Sequence, residues 1–196
     1  LLADMVAAFI TLHPEVTLEL DLSPRRVDLL GESFDIALRM GALPDDALLA
    51  ARRIALLPIG LYAAPGYLAE YGDPASPDDL VHHQALRLLE PGGEVAAWTL
   101  ISGERRWEGT PPGRATANSP ELLIRLARAG VGIAAVPDCF TAPSVRSGEL
   151  RRVLPDWHLP SDPAWAVFPG RRLMPVKTRA FLDMLQMVLA GCPAKA

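Results

Sequence analysis

The amino-acid sequence predicts an α/β protein of two lobes that two crossing segments join. Strand-like and helix-like segments alternate near the start of the chain, an order typical of a parallel sheet with helices on its faces. The apolar run 54–64 is too long for one small lobe, and it contains Pro58, which cannot donate to a strand ladder. Residues 165–168 have the composition of a second, returning crossing strand.

Length and composition support a globular chain that does not bind nucleic acid by itself. The chain has 196 residues, half of them hydrophobic, which suffices for a sizeable core. With a net charge of −4, the chain lacks the clustered lysine and arginine residues that phosphate binding requires. The longest apolar run is about half a membrane span, so no membrane association is expected. Cys139 and Cys192 have no metal-ligand spacing, and a reducing cytoplasm is the predicted location.

The first lobe is predicted to begin with a helix, because apolar residues recur at helical spacing and His13-Pro14 ends the pattern. A strand follows, because apolar and polar residues then alternate. Ser23 and Pro24 have the chemistry of a helix start. In chain order, the predicted elements are a helix over 1–12, a strand over 16–22, a helix from Ser23 to Gly31 and a strand over 34–40.

The second lobe is predicted to contain short helices and strands punctuated by proline and glycine. Ser119 is a good N-cap, Pro120 suits the first helical position and Gly130 stops the helix. A strand of small residues follows and leads to Pro137. The predicted elements are helices over 65–71 and 77–82, strands over 84–89, 98–101 and 105–108, a helix beginning at 120, a strand over 132–136, and a terminal helix over 176–189 that returns to the first lobe.

Several segments, in this order and spacing, resemble the effector-sensing domain of the LysR-type transcriptional regulators. They are FDIALR at 34–39, APGYL at 64–68, PDDLVHH at 77–83, NSPELLIRLARAGVGIAAVP at 118–137, GELRRVLPDW at 148–157 and VKTRAFLD at 176–183. The resemblance covers nearly the whole chain. It implies two Rossmann-like lobes in the manner of type 2 periplasmic-binding proteins, with lobe I over 1–57 plus 168–196 and lobe II over 58–167.

Members of this family begin with a winged helix-turn-helix, a linker helix and a first sheet strand, none of which precedes Leu1. We therefore expect the chain to be a fragment whose first lobe needs an upstream strand. The resemblance implies homodimers, and often tetramers, in which helix 1–12 and strand 16–22 face the second-lobe helix of another copy. DNA is then a partner only through the missing N-terminal domain.

The predicted ligand site is a cleft at which two helix starts converge, Ser23 with Pro24 and Ser119 with Pro120. Unpaired N–H groups and partial positive charge at helix N-termini favour an anion. The alternative is that both serines are only caps. Gly132 would let a ligand approach the backbone closely.

Two further residues are candidates for the same ligand. Arg39 at a strand end would bind a carboxylate, or instead form a salt bridge between the lobes. Asn118 offers a donor and an acceptor to a ligand, or instead makes a local turn bond.

No catalytic, metal or cofactor site is predicted. His82 and His83 are adjacent and would diverge on a helix, without a third ligand at suitable spacing. No nucleophile elbow, zinc-protease motif or phosphate loop occurs. The leading hypothesis is therefore the effector-binding domain of a regulator, with a small, anionic molecule bound between the lobes. The alternatives are the solute-binding protein of a transporter and, as a third hypothesis, an enzyme on the same fold.

Overall fold

The structure is a computed structural model that describes residues 2–23, 28–29, 31–32, 34–43, 49–89, 93–95, 97–169 and 174–190. Helices and strands alternate along these residues. In chain order they are α1 (Leu2–Leu12), β1 (Ala37–Met40), β2 (Leu49–Ala63), α2 (Pro65–Tyr71), a 3-10 helix (Pro77–His82), β3 (Ala85–Leu88), β4 (Trp98–Ser102), β5 (Arg105–Gly109), β6 (Ala115–Ala117), α3 (Pro120–Arg128), β7 (Ile133–Pro137), α4 (Asp138–Arg146), β8 (Arg151–Val153), β9 (Leu159–Pro169) and α5 (Val176–Ala190).

The chain divides into two compact units. The first unit comprises Leu1–Leu57 and Asp162–Ala196, and the second comprises Pro58–Ser161. The long strands β2 and β9 each contribute residues to both units. The division within β2 falls at Pro58, the residue from which the sequence predicted a crossing segment.

In the first unit, β1 pairs antiparallel with β9, in the register Ala37 to Val167 and Met40 to Ala164. The α1 and α5 helices pack together, with the rings of Phe9 and Phe181 meeting edge to face at a centroid distance of 5.2 Å. Edge-to-face aromatic pairs stabilise a contact beyond the apolar area that they bury. The predicted helices at both ends of this unit are therefore present and form part of its core.

The strand predicted over 16–22 is wrong, because none of these residues joins a strand ladder in the described part of the chain. The side chains of Leu20 and Leu22 are 51% and 90% exposed. Alternation defines one apolar face, but a strand also needs a neighbour that satisfies its N–H and C=O groups. The predicted helix from Ser23 to Gly31 lies largely outside the described residues, Pro24 among them.

The second unit contains a mixed sheet. Its strand order is β2-β7-β3-β6, with β3 parallel to β6 and β7. β2 is antiparallel to β7 and to β8. β4 and β5 form a separate hairpin. The α/β fold class is confirmed.

Both faces of this sheet are covered. On one face, Leu61, Ala85 and Ile133 form a core with the side chains of α2. On the other face, Tyr62, Leu86 and Val136 pack against α3 and against Phe140 of α4. Sequence analysis missed three elements here, β6, α4 and β8. The two strands have only three residues each, and α4 has an internal proline.

Candidate functional site

The parallel strands of the second unit end at one edge of their sheet. β3 ends at Leu88, β6 at Ala117 and β7 at Pro137, and Leu88 is paired with Ala117. The α3 helix begins just beyond β6 and α4 just beyond β7. We call this edge, residues 88, 117–119 and 137–138, the strand-end edge. In α/β sheets, ligands bind outside the carboxyl ends of the strands.

Ser119 caps α3 as predicted. Its Oγ accepts a hydrogen bond from the N–H of Leu122 at 3.3 Å, and Pro120 occupies the first turn. Asn118 lies beside it and is exposed. The serine hydroxyl keeps its own proton for a second partner while it accepts at the cap. Capping and ligand contact are thus compatible at this residue.

Gly132 lies at the opposite end of the same sheet. The N–H of Ile133 donates to the carbonyl oxygen of Gln84 at 2.8 Å, at the start of β3. A Cβ at Gly132 would lie 2.2 Å from that oxygen. β7 covers five residues, Ile133–Pro137, so Gly132 lies about 16 Å before the last of them. The structure therefore separates Gly132 from Ser119, and close packing accounts for the missing side chain.

The other predicted ligand residues belong to the first unit. Ser23 is exposed, and its N–H donates to the Asp21 carboxylate at 2.8 Å. Arg39 is half-buried in β1 opposite Trp165 of β9. Pro24 lies outside the described residues. Thus Asn118 and Ser119 are the predicted pair that the structure brings together at the strand-end edge.

Three polar side chains that sequence analysis missed meet beside this edge. The phenol of Tyr62 donates to Asp138 Oδ1 at 2.8 Å. The guanidinium of Arg152 donates to Asp138 Oδ2 at 2.7 Å and to the Tyr62 oxygen at 3.2 Å. We call Tyr62, Asp138 and Arg152 the polar triad. Asp138 is the first residue of α4, so the triad fixes that helix start to β2 and β8.

The triad is mostly buried and electrically balanced. The side chains of Arg152 and Asp138 are 18% and 23% exposed. Burial raises the pKa of Tyr62 above its usual value, and the neighbouring Asp138 raises it further. Burial opposes the charge of Arg152, but the hydrogen bond to Asp138 prevails and raises the pKa of the guanidinium. At neutral pH, Asp138 and Arg152 therefore form an ion pair beside a neutral tyrosine.

Gly60 makes room for this ion pair. A Cβ at Gly60 would lie 2.7 Å from Asp138 Oδ1 and 2.8 Å from the guanidinium carbon of Arg152. Contacts this short force a shift of the neighbouring atoms. The signal that could have located the triad is the Pro137-Asp138 step, a proline followed by an acid at a helix start. The pairing of Tyr62 with Arg152 in neighbouring strands comes only from the sheet register.

Other polar groups have structural partners away from this edge. His83 is buried, with its Nδ1 3.3 Å from the Tyr67 phenol oxygen. Groups of three or more metal-binding side chains are absent among the described residues. Within the same part of the chain, every helix is too short or too polar to cross a bilayer.

Known proteins resemble this chain in sequence and in fold. A transcriptional regulator of the helix-turn-helix type from Xanthomonas campestris is 35% identical over 205 residues, covering 99% of this chain and 59% of its own length. The regulatory domain of CrgA, a LysR-type regulator from Neisseria meningitidis, is 32% identical with a TM-score of 0.84, over 97% of this chain and 92% of that domain. The full-length Vibrio cholerae virulence activator AphB is 26% identical with a TM-score of 0.78, over 97% of this chain and 63% of that one.

The chain thus spans about 59% of the Xanthomonas relative's length. These relatives are named as transcriptional regulators and not as enzymes. The sequence model described as the LysR substrate binding domain matches residues 1–190. The resemblance inferred from the sequence is confirmed, and the chain belongs to the LysR substrate-binding domain family.

Proposed function

We propose that this chain senses a small anionic effector for a LysR-type regulator, with Asn118 and Ser119 of the strand-end edge as ligand contacts. The observation that supports this most is the pair of helix starts, α3 and α4, at one edge of the second unit. Ser23, Pro24 and Arg39 of the first unit stay predicted contacts for the same ligand.

The charge preference follows from the helix starts. An exposed N-terminus stabilises a negative charge by about 0.3–1 kcal/mol, and by up to ~2 kcal/mol when partly buried. The acid at the start of α4, Asp138, is neutralised by Arg152. Glu121 in the first turn of α3 pairs with Arg125 at 3.0 Å. Among the described residues, the acids in the first turns of α3 and α4 are thus paired with cations, so they repel a bound anion little.

The proposed role in the cell is a shift of population. An effector with higher affinity for one arrangement of the chain favours that arrangement. DNA-binding domains elsewhere in the longer regulator would report the change. The regulator would act in the cytoplasm. The transporter alternative is not favoured, because the relatives are named as transcriptional regulators.

Self-association is a second part of this proposal. The α1 helix buries Met5 and Phe9 but leaves the apolar side chains of Ile10 and Leu12 48% and 67% exposed. A helix that is apolar on most sides normally has a partner on each face. We assign the outer face of α1 to a homodimer contact, as the family resemblance implies.

Calorimetric titration tests the ligand proposal. A panel of small carboxylates and their neutral amides is titrated against the wild type and against Ser119→Ala combined with Asn118→Ala. We expect at least one carboxylate to bind and the double variant to bind it about ten-fold more weakly. Ser76→Ala is the matched control, because Ser76 caps the 3-10 helix in a capping box. Equal affinity in the double variant would refute the assignment of these two residues.

A further inference from the structure

The polar triad borders the strand-end edge, and its ion pair is well placed to set the charge there. Asp138 follows the last residue of β7, and Asn118 follows the last residue of β6. One strand, β3, separates β7 from β6. Two strand spacings place the backbones of Asn118 and Asp138 about 10 Å apart. That distance is within reach of an unscreened charge.

We infer that Arg152 is a positioning residue for anion selectivity: it holds Asp138 as a compensated ion pair, so that α4 presents its positive end rather than a free carboxylate. This inference rests on the proposed function, because it explains how the same edge accepts an anion. Without Arg152, the negative charge of Asp138 would reduce the positive potential at the N-termini of α3 and α4. Without the charge of Asp138, Arg152 would add a cation beside them.

The geometry separates this role from simple packing. Arg152 reaches Asp138 and Tyr62 from β8, and its Nε has no hydrogen-bond partner among the described residues. The guanidinium of Arg152 therefore binds Asp138 although its own Nε donor has no partner among the described residues. Gly60 leaves the space in which the two charges meet. Unpaired buried donors are uncommon in folded proteins, so the position of Arg152 is determined mainly by its pairing with Asp138.

The inference predicts opposite effects for two neutralising substitutions. The reporter is a thiol at the exposed residue 118, Asn118→Cys, in a chain carrying Cys139→Ala and Cys192→Ala. Its reaction rate is measured with an anionic reagent, sulfonatoethyl methanethiosulfonate, and with the cationic trimethylammonioethyl analogue. The ratio of the two rates reports the electrostatic potential at the edge and needs no bound effector.

We expect Arg152→Gln to lower the anionic-to-cationic rate ratio about three- to ten-fold at low salt, and Asp138→Asn to raise it by a similar factor. The double variant should return to within about two-fold of the parent, because it carries neither charge. Tyr62→Phe changes no charge and should leave the ratio within the same two-fold range. Circular dichroism verifies that each variant is folded.

A change in the same direction for both single variants, or no change, overturns the inference. So does a Tyr62→Phe effect as large as that of Arg152→Gln, since that result indicates a structural role. If Arg152→Gln does not fold, Asp138→Asn alone tests the inference, because the inference requires a higher anionic-to-cationic rate ratio in this variant than in the parent. A chain that binds no carboxylate in the titration refutes the proposed function, whereas the thiol ratio decides this inference separately.

Discussion

The buried imidazole of His83 faces the phenol of Tyr67, with 3.3 Å between Nδ1 and the phenol oxygen. The same phenol oxygen accepts a hydrogen bond from the N–H of Gln84 at 2.9 Å. Tyr67 thus connects α2 to the start of β3. Burial lowers the pKa of His83 below its ordinary value of 6.5, against smaller opposing effects of Asp79 and Asp73.

Stability should therefore fall in mildly acidic solution. The folded pKa of His83 is below the unfolded value, so the unfolded chain binds more protons as the pH drops below about 6.5. The contribution of His83 is complete above that pH and is lost as the pH falls towards the folded pKa. Urea unfolding of the wild type and His83→Gln between pH 5 and 8 measures it. The loss should be smaller in His83→Gln than in the wild type. Parallel pH curves for wild type and His83→Gln would contradict this.

Replacing Gly60 by alanine should destabilise the second unit by about 1–3 kcal/mol, because the new methyl group would displace Asp138 or Arg152. Gly66 is the matched control. A Cβ there meets nothing within 4 Å, and the residue lies in α2. Gly66→Ala should therefore be neutral or stabilise by up to ~1 kcal/mol. Chemical denaturation compares the stabilities of Gly60→Ala and Gly66→Ala. Equal unfolding midpoints would show that the ion pair shifts without a loss of stability.

Charge on the outer face of α1 should prevent self-association. Ile10→Asp adds a carboxylate to an exposed apolar position, and burying that charge in an interface costs several kcal/mol. We expect monomers in sedimentation at concentrations where the wild type dimerises. Val145→Asp, at an exposed apolar position of α4, is the control and should stay dimeric. An unchanged dimer in Ile10→Asp would place the interface elsewhere.

This chain alone should not bind duplex DNA selectively. Its net charge is −4, and phosphate contacts need clustered lysine and arginine. A gel-shift titration at two salt concentrations, with a promoter fragment and a scrambled fragment, checks this. A full-length relative with its own operator is the positive control. Salt-sensitive, sequence-selective binding by these 196 residues would refute the expectation.

Much of the second unit was predictable, because its signals are local. Ser119 and Pro120 specify a helix start by hydrogen-bonding chemistry within one turn. Pro58 indicated the crossing strand for a similar reason, because the proline ring fixes the φ angle of its own residue and removes its N–H donor. These features depend on neighbours in sequence. For the same reason, the motif order was enough to indicate the family.

Tertiary structure decided what depends on partners distant in sequence. The alternating segment 16–22 could form a strand only if a neighbouring strand paired with it. The described residues contain no such partner strand. Gly132 was predicted to let a ligand approach the backbone, and the structure adds a packing reason for its missing side chain, because a Cβ there would lie 2.2 Å from the carbonyl oxygen of Gln84. Tyr62, Asp138 and Arg152 meet only because the sheet register aligns β2 with β8 and brings α4 beside them. Local patterns specify where a helix or strand begins, whereas the positions of charges in a site depend on long-range pairing that a linear sequence leaves open.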